Sequence, residues 1–203
     1  METKELSKCE QVFSEELTLI PNRDVRSFVI ECFLKFAPDY FWTCPASTSR
    51  KYHPEISLGD GGLIRHTKLA VWWGSELAKS FELNPDQLGE VIAALILHDL
   101  VKNGQGLNAK GFSVDQEATS LHGVWLCNKI LVMQADSFTS PEYRTRIAYM
   151  IGGHMGCWTN ARHEAMKPSS LQDQEVRKLA WVVHLADYCA SRKADEKMQQ
   201  PSL

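Results

Sequence analysis

Apolar positions recur along the chain at spacings of three and four, and no segment alternates with the two-residue period of a half-buried strand. The pattern predicts an all-α fold. A first long helix is expected after Asn22, a good N-cap, with Val25, Phe28, Val29, Phe33 and Phe36 on one face and a stop near Pro38. An irregular stretch follows, DYFWTCPASTSRKYHPEISLGDGG, in which Pro45, Pro54, Gly59, Gly61 and Gly62 oppose regular structure. Its aromatic residues argue for an ordered wall or lid rather than disorder. Further helices are expected over about 63–81, 85–102, 115–133, 140–151 and 173–192.

The helix expected over 85–102 breaks the amphipathic rule. Val91, Ile92, Ala94, Leu95, Ile96 and Leu97 are apolar on every side, which marks a helix buried all round, yet the run ends in His98 and Asp99. A buried carboxylate must be paired, hydrogen-bonded or bound to a cation. Other core-facing polar positions offer partners. His66 shares a face with Leu63, Ala70 and Trp73; His122 shares one with Trp125 and Leu126; His154 follows a helix end at Gly152 and Gly153; Asp187 sits in the stripe Val176, Ala180, Val183 and Ala190. Four imidazoles and two carboxylates form an N/O ligand set suited to Fe, Mn, Co or Zn and unlike a thiolate structural site.

Length and charge narrow the setting without naming the chemistry. The 203 residues, 44% of them hydrophobic, suffice for one domain with one core. A net charge of -3 and a pI near 6.2 give no global attraction to nucleic acid or anionic membrane. The polar start, METKELSKCEQ, and the lack of a long apolar run lead us to expect a cytoplasmic protein without a membrane partner. Six cysteines without a CxxC pair are expected to be free and mostly buried. The expected division is a helical extension over 1–39 packed on the core, a main domain over 40–192, and a charged tail over 193–203 that frays.

The ordered set His66, His98–Asp99, His122, His154 and Asp187 resembles the HD-domain metal-dependent phosphohydrolases, all-helical bundles named for the adjacent His-Asp pair. His66, His98, Asp99 and Asp187 match their basic pattern, and His122 and His154 match the extra histidines of the branch that binds two metals. The segment PASTSRKYHPEISLGDGGLIRHT is similar to the entry of the HD domains found in bacterial 3′ to 5′ exonucleases.

The resemblance implies one metal on His66, His98, Asp99 and Asp187 and a second on His122 and His154, with Asp99 bridging as the catalytic carboxylate. One or two divalent transition-metal ions are expected, Fe, Mn or Co ahead of Zn or Mg. It also implies a phosphate contact and catalytic role for Lys102, three positions after Asp99 on a continuing helix. Arg50, Lys51, His53 and Arg192 are candidate substrate contacts. Among Tyr40, Phe41, Trp42 and Tyr52, aromatic rings either stack on a base or plug the core. His184, outside the matched pattern, is expected to support the ligands, and Arg65 to be exposed. The expected activity is hydrolysis of a phosphoester or phosphoanhydride bond in a nucleotide, dinucleotide or short oligonucleotide. A 3′ to 5′ exonuclease acting on single-stranded DNA or RNA is the enzymatic alternative, and a non-catalytic nucleotide-sensing module the other. The expected partner is therefore a phosphate-containing small molecule or a short single strand. No P-loop and no GxSxG elbow points to different chemistry.

Overall fold

A computed structural model describes residues 6–47, 53–133 and 139–193. Arg50, Lys51 and Tyr52 lie outside the described residues, as does the tail from 194 onward. The described chain is helical, with α1 Lys8–Val12, α2 Ser14–Thr18, α3 Arg23–Phe36, α4 Gly62–Ser80, α5 Pro85–Leu97, α6 Ala118–Val132, α7 Pro141–Gly153 and α8 Gln174–Ala190. Its extended pairing among these residues is an isolated bridge between Leu107 and Ser113. No helix among the described residues is long and apolar enough to cross a membrane.

Side-chain caps set the starts of α3, α5, α7 and α8. Asn22 Oδ1 accepts from the Asp24 and Val25 amides at the head of α3. Asn84 and Gln87 form a capping box on α5, with Pro85 pre-set for the first turn. Ser140 caps α7 by accepting from the Tyr143 amide, followed by Pro141, and Asp173 caps α8 through the Glu175 and Val176 amides. The short helices α1 and α2 precede the first one expected from periodicity; at five residues each they are too brief to display it.

Helix α5 is the axis of the molecule. Every residue from Gly89 to Leu97 is buried, and α2, α3, α4, α7 and α8 all pack against it. Glu90 lies within that buried run because Arg146 of α7 meets it with two hydrogen bonds, Nε to Oε2 at 2.7 Å and NH2 to Oε1 at 3.1 Å. Phe13 between α1 and α2, Ile20 between α2 and α3, and Phe28 and Phe33 of α3 join the same buried cluster as Leu95, Ile151 and Val183.

Phe41 and Trp42 belong to this packing. Phe41 is fully buried, with ring centroids 5.3 Å from Phe33 and 5.2 Å from Trp42. Tyr40 ties the 39–42 turn to the segment after α5: its hydroxyl donates to the Gly104 carbonyl at 2.9 Å and accepts from the Asn103 amide at 3.1 Å. Arg65 is half-buried rather than exposed, because its guanidinium donates to the carbonyls of Ile56 (2.6 Å) and Leu58 (2.8 Å) and pins that loop to α4.

One helix end differs from expectation. Helix α5 stops at Leu97 rather than 102, and the chain continues in tight turns through bonds from Leu100 N to Leu97 O, Lys102 N to Asp99 O and Gly104 N to Val101 O. These three-residue bonds replace the four-residue ladder of an α-helix. His98 and Asp99 thus leave the buried axis at a corner, from which both side chains reach inward.

Candidate metal centre

Five elements deliver the six matched side chains to one place. Helix α4 supplies His66, the corner after α5 supplies His98 and Asp99, α6 supplies His122, the residue capping α7 is His154, and α8 supplies Asp187. The four histidines and Asp99 are at most 3% exposed.

Two clusters share Asp99. In the first, His66 Nε2 lies 3.3 Å from His98 Nε2 and 3.1 Å from Asp187 Oδ1, and His98 Nε2 lies 3.6 Å from the same oxygen. In the second, His122 Nε2 lies 3.0 Å from His154 Nε2 and 3.0 Å from Asp99 Oδ1. Asp99 Oδ2 faces the first cluster instead, 3.5 Å from both His66 and His98. Ligands bonded to one cation at about 2.0–2.2 Å stand roughly 3.0–3.5 Å apart along the edges of a tetrahedron or octahedron. These spacings are of that size, and each cluster can hold a metal ion.

The imidazole tautomers support the same conclusion. His98 Nδ1 is 2.6 Å from the Leu95 carbonyl, His122 Nδ1 is 2.9 Å from that of Ala118, and His154 Nδ1 is 2.7 Å from that of Ile151. A carbonyl only accepts, so each Nδ1 carries the proton and each Nε2 presents a lone pair to the cluster. The facing lone pairs of His122 and His154, 3.0 Å apart, repel unless a cation or a proton lies between them. Backbone orientation of the far nitrogen is also how metal-binding histidines are commonly held. His66 departs from this: its Nδ1 is buried with no hydrogen-bond partner among the described residues.

Burial pushes the Asp99 carboxyl upward, but Lys102 and His98 outweigh it and hold the group well below the ordinary carboxylate range. Asp187 behaves alike, with His66 and His98 overcoming burial. Burial keeps His154 neutral, its pKa lowered to about 3, and lowers His66 as well. His98 moves the other way: burial opposes its charge, yet Asp99 and Asp187 lift it to about 10. A buried carboxylate and a largely buried one require positive charge beside them, and a bound cation meets that requirement without a proton on His98.

Lys102 reaches the site from the turn rather than from a continuing helix, and its ammonium pairs with Asp99 Oδ2. His53 also lies at the cluster, its ring centroid 5.2 Å from that of His66 and its Nε2 3.3 Å from Ser191 Oγ. Burial, with Lys102 and His66 nearby, lowers its pKa to about 4. Arg192 lies over the Tyr188 ring at 4.2 Å. His184 touches no ligand atom; its Nδ1 is 2.7 Å from the His154 carbonyl, so it braces the backbone that carries that imidazole.

Two glycines that periodicity does not single out make the geometry possible. A Cβ on Gly123 would stand 2.7 Å from His154 Cε1 and 2.8 Å from the Ile151 carbonyl, so α6 approaches α7 closely enough for His122 to meet His154 only because Gly123 has none. Gly156 has φ +56° and leaves the space that the His184 ring occupies. Glycine beside a candidate ligand, as in His122–Gly123, is the sequence signal that carried this information.

Comparison of the chain with family models, with curated proteins and with solved structures finds no match.

Proposed function

We propose that the chain is a metal-dependent phosphohydrolase of the HD-domain type, hydrolysing a phosphoester or phosphoanhydride bond of a nucleotide, dinucleotide or short oligonucleotide. The observation that carries this reading is the division of Asp99 between two clusters, Oδ2 toward His66 and His98 and Oδ1 toward His122 and His154. A purely structural metal needs one closed ligand set and no bridging carboxylate. Fe, Mn or Co suits the four-imidazole, two-carboxylate set better than Mg, which prefers oxygen and retains its water.

Divalent ions bound in such a pair supply a water nucleophile near neutral pH and neutralise charge on the attacked phosphate. The chain's own residues do the rest. Asp99 fixes the ligand geometry from a buried wall, where water is excluded and electrostatic interactions are stronger, and Asp187, its side chain 17% exposed, completes the first cluster at the solvent edge. Lys102 keeps 22% of its side chain exposed while pairing with Asp99, which supports a contact between its charge and a phosphate oxygen. His53, held neutral by its surroundings, can accept or donate one hydrogen bond at the same edge.

The test is a panel of phosphate monoesters, cyclic nucleotides, dinucleotides, nucleoside triphosphates and a labelled oligonucleotide, each with Mn²⁺ or Fe²⁺. Hydrolysis of at least one nucleotide substrate is expected, with loss of activity and of bound metal in the His98→Ala, Asp99→Ala double variant. Undiminished hydrolysis by a metal-free double variant contradicts the proposal. Shortening of the oligonucleotide from its 3′ end, with nucleotides left intact, assigns the exonuclease alternative instead.

A further inference from the structure

The six ligand residues are not equally enclosed. The four histidines and Asp99 are at most 3% exposed, whereas the Asp187 side chain is 17% exposed. Solvent therefore reaches the clusters along the Asp187 edge, where Lys102, His53 and Ser191 also lie. Ser191 Oγ joins that edge together, donating to Asp187 Oδ1 at 3.3 Å and standing 3.3 Å from His53 Nε2.

An aromatic array adjoins that edge along the chain, where Tyr188 follows Asp187 and Arg192 follows Ser191. Tyr188, next to Asp187 on α8, stacks on Trp158 with centroids 5.6 Å apart and planes inclined by 6°. The Arg192 guanidinium lies 4.2 Å from the Tyr188 centroid and 5.6 Å from that of Trp158. His184 contacts Trp158 and Trp181 at 5.9 and 5.5 Å while bracing the His154 carbonyl, so the array is mechanically tied to a candidate ligand.

Core packing does not account for this array, because Trp158 remains 51% exposed and Tyr188 38%. A tryptophan held in a fixed orientation with half its surface in water offers a flat π face to a ligand. The neighbouring charge selects the kind of ligand. Arg192 at the rings and Lys102 at the opening favour an anion that carries an aromatic ring, over an apolar peptide or lipid chain.

We propose that Trp158, backed by Tyr188 and Arg192, is the stacking platform for the base of a nucleotide whose phosphate lies toward Lys102 and the metal clusters. The proposal rests on the phosphohydrolase reading for the position of the phosphate. It moves base recognition away from the 40–52 stretch, whose Phe41 and Trp42 serve the core.

Calorimetric titration with AMP and with ribose 5-phosphate, in the presence of Mn²⁺, tests it without requiring turnover. AMP is expected to bind at least about tenfold more tightly than ribose 5-phosphate, the size expected of one base stacked on one aromatic ring. Trp158→Ala should abolish that preference, and Trp158→Phe should retain most of it. Equal affinities, no binding of either compound, or a preference that survives Trp158→Ala overturns the platform. If the preference and its loss are found in a protein that hydrolyses no phosphate, the platform stands and the hydrolase reading falls. If nucleotides are hydrolysed but Trp158→Ala leaves the AMP preference intact, the reverse holds.

Discussion

His122 and His154 point their Nε2 atoms at each other across 3.0 Å while each commits Nδ1 to a backbone carbonyl of its own helix. Neither ring can turn away without taking its Nδ1–H from that acceptor inside the protein, and a buried donor left unpaired costs about 1–3 kcal/mol. The fold therefore holds two lone pairs in mutual repulsion, and a cation between them relieves it. Chelation of metal from the purified protein should lower the melting temperature by roughly 5–10 °C, the shift expected when a ligand at about a hundred times its Kd is removed from a domain of this size. Differential scanning calorimetry before and after EDTA, then with added Mn²⁺, checks it; an unchanged melting temperature contradicts it.

The same pair depends on Gly123. Gly123→Ala places a methyl group 2.7 Å from the His154 ring and 2.8 Å from the Ile151 carbonyl, so either the ring or α6 must move. Overpacking of this kind costs about 1–3 kcal/mol. The variant should retain metal in the His66, His98, Asp187 cluster and bind the second ion at least about tenfold more weakly, as measured by competition with a chromogenic chelator. Two ions bound with unaltered affinity would show that α6 and α7 need not approach so closely.

Far from the clusters, Arg146 stabilises α5 against α7. Its side chain is 13% exposed, that of Glu90 is 3% exposed, and Glu175 accepts a third bond at 2.9 Å. Arg146→Ala should cost about 3–5 kcal/mol in urea unfolding, because it leaves the Glu90 carboxylate buried without a partner. The pH dependence has a definite sign. Burial raises the folded pKa of Glu90 even with Arg146 present, so the folded state holds that proton more tightly than the unfolded chain. The resulting stabilisation is present below the unfolded value of about 4.3 and lost as pH rises through the folded one. Without Arg146 the folded pKa moves higher still, and the variant's deficit should be smaller at pH 5 than at pH 8. An equal deficit at both pH values would mean that the cost is packing rather than charge.

The helix starts were legible because their signals are local: Asn22, Asn84, Ser140 with Pro141, and Asp173 each bond to an amide two or three residues ahead. The six candidate ligands were legible for a related reason, since polar groups on apolar faces stand out against burial. The end of α5 was not, because Lys102 bonds back to Asp99 through a tight turn that leaves the same three-residue spacing as a helix. The roles of Arg65 and Trp158 were hidden by distance along the chain: one is fixed by carbonyls of the preceding loop, the other by Tyr188 on α8. Neither partner can be read from periodicity.

The shared carboxylate is the centre of the account, and metal stoichiometry tests it most directly. The protein and its Asp99→Ala variant would be stripped with chelator, reloaded with Mn²⁺, desalted and assayed for metal per chain by inductively coupled plasma mass spectrometry. Two ions per chain are predicted for the protein, and at most one for Asp99→Ala, because each cluster loses an oxygen when that side chain is removed. No stoichiometric metal in the protein, or two retained ions in the variant, would contradict a centre bridged by Asp99.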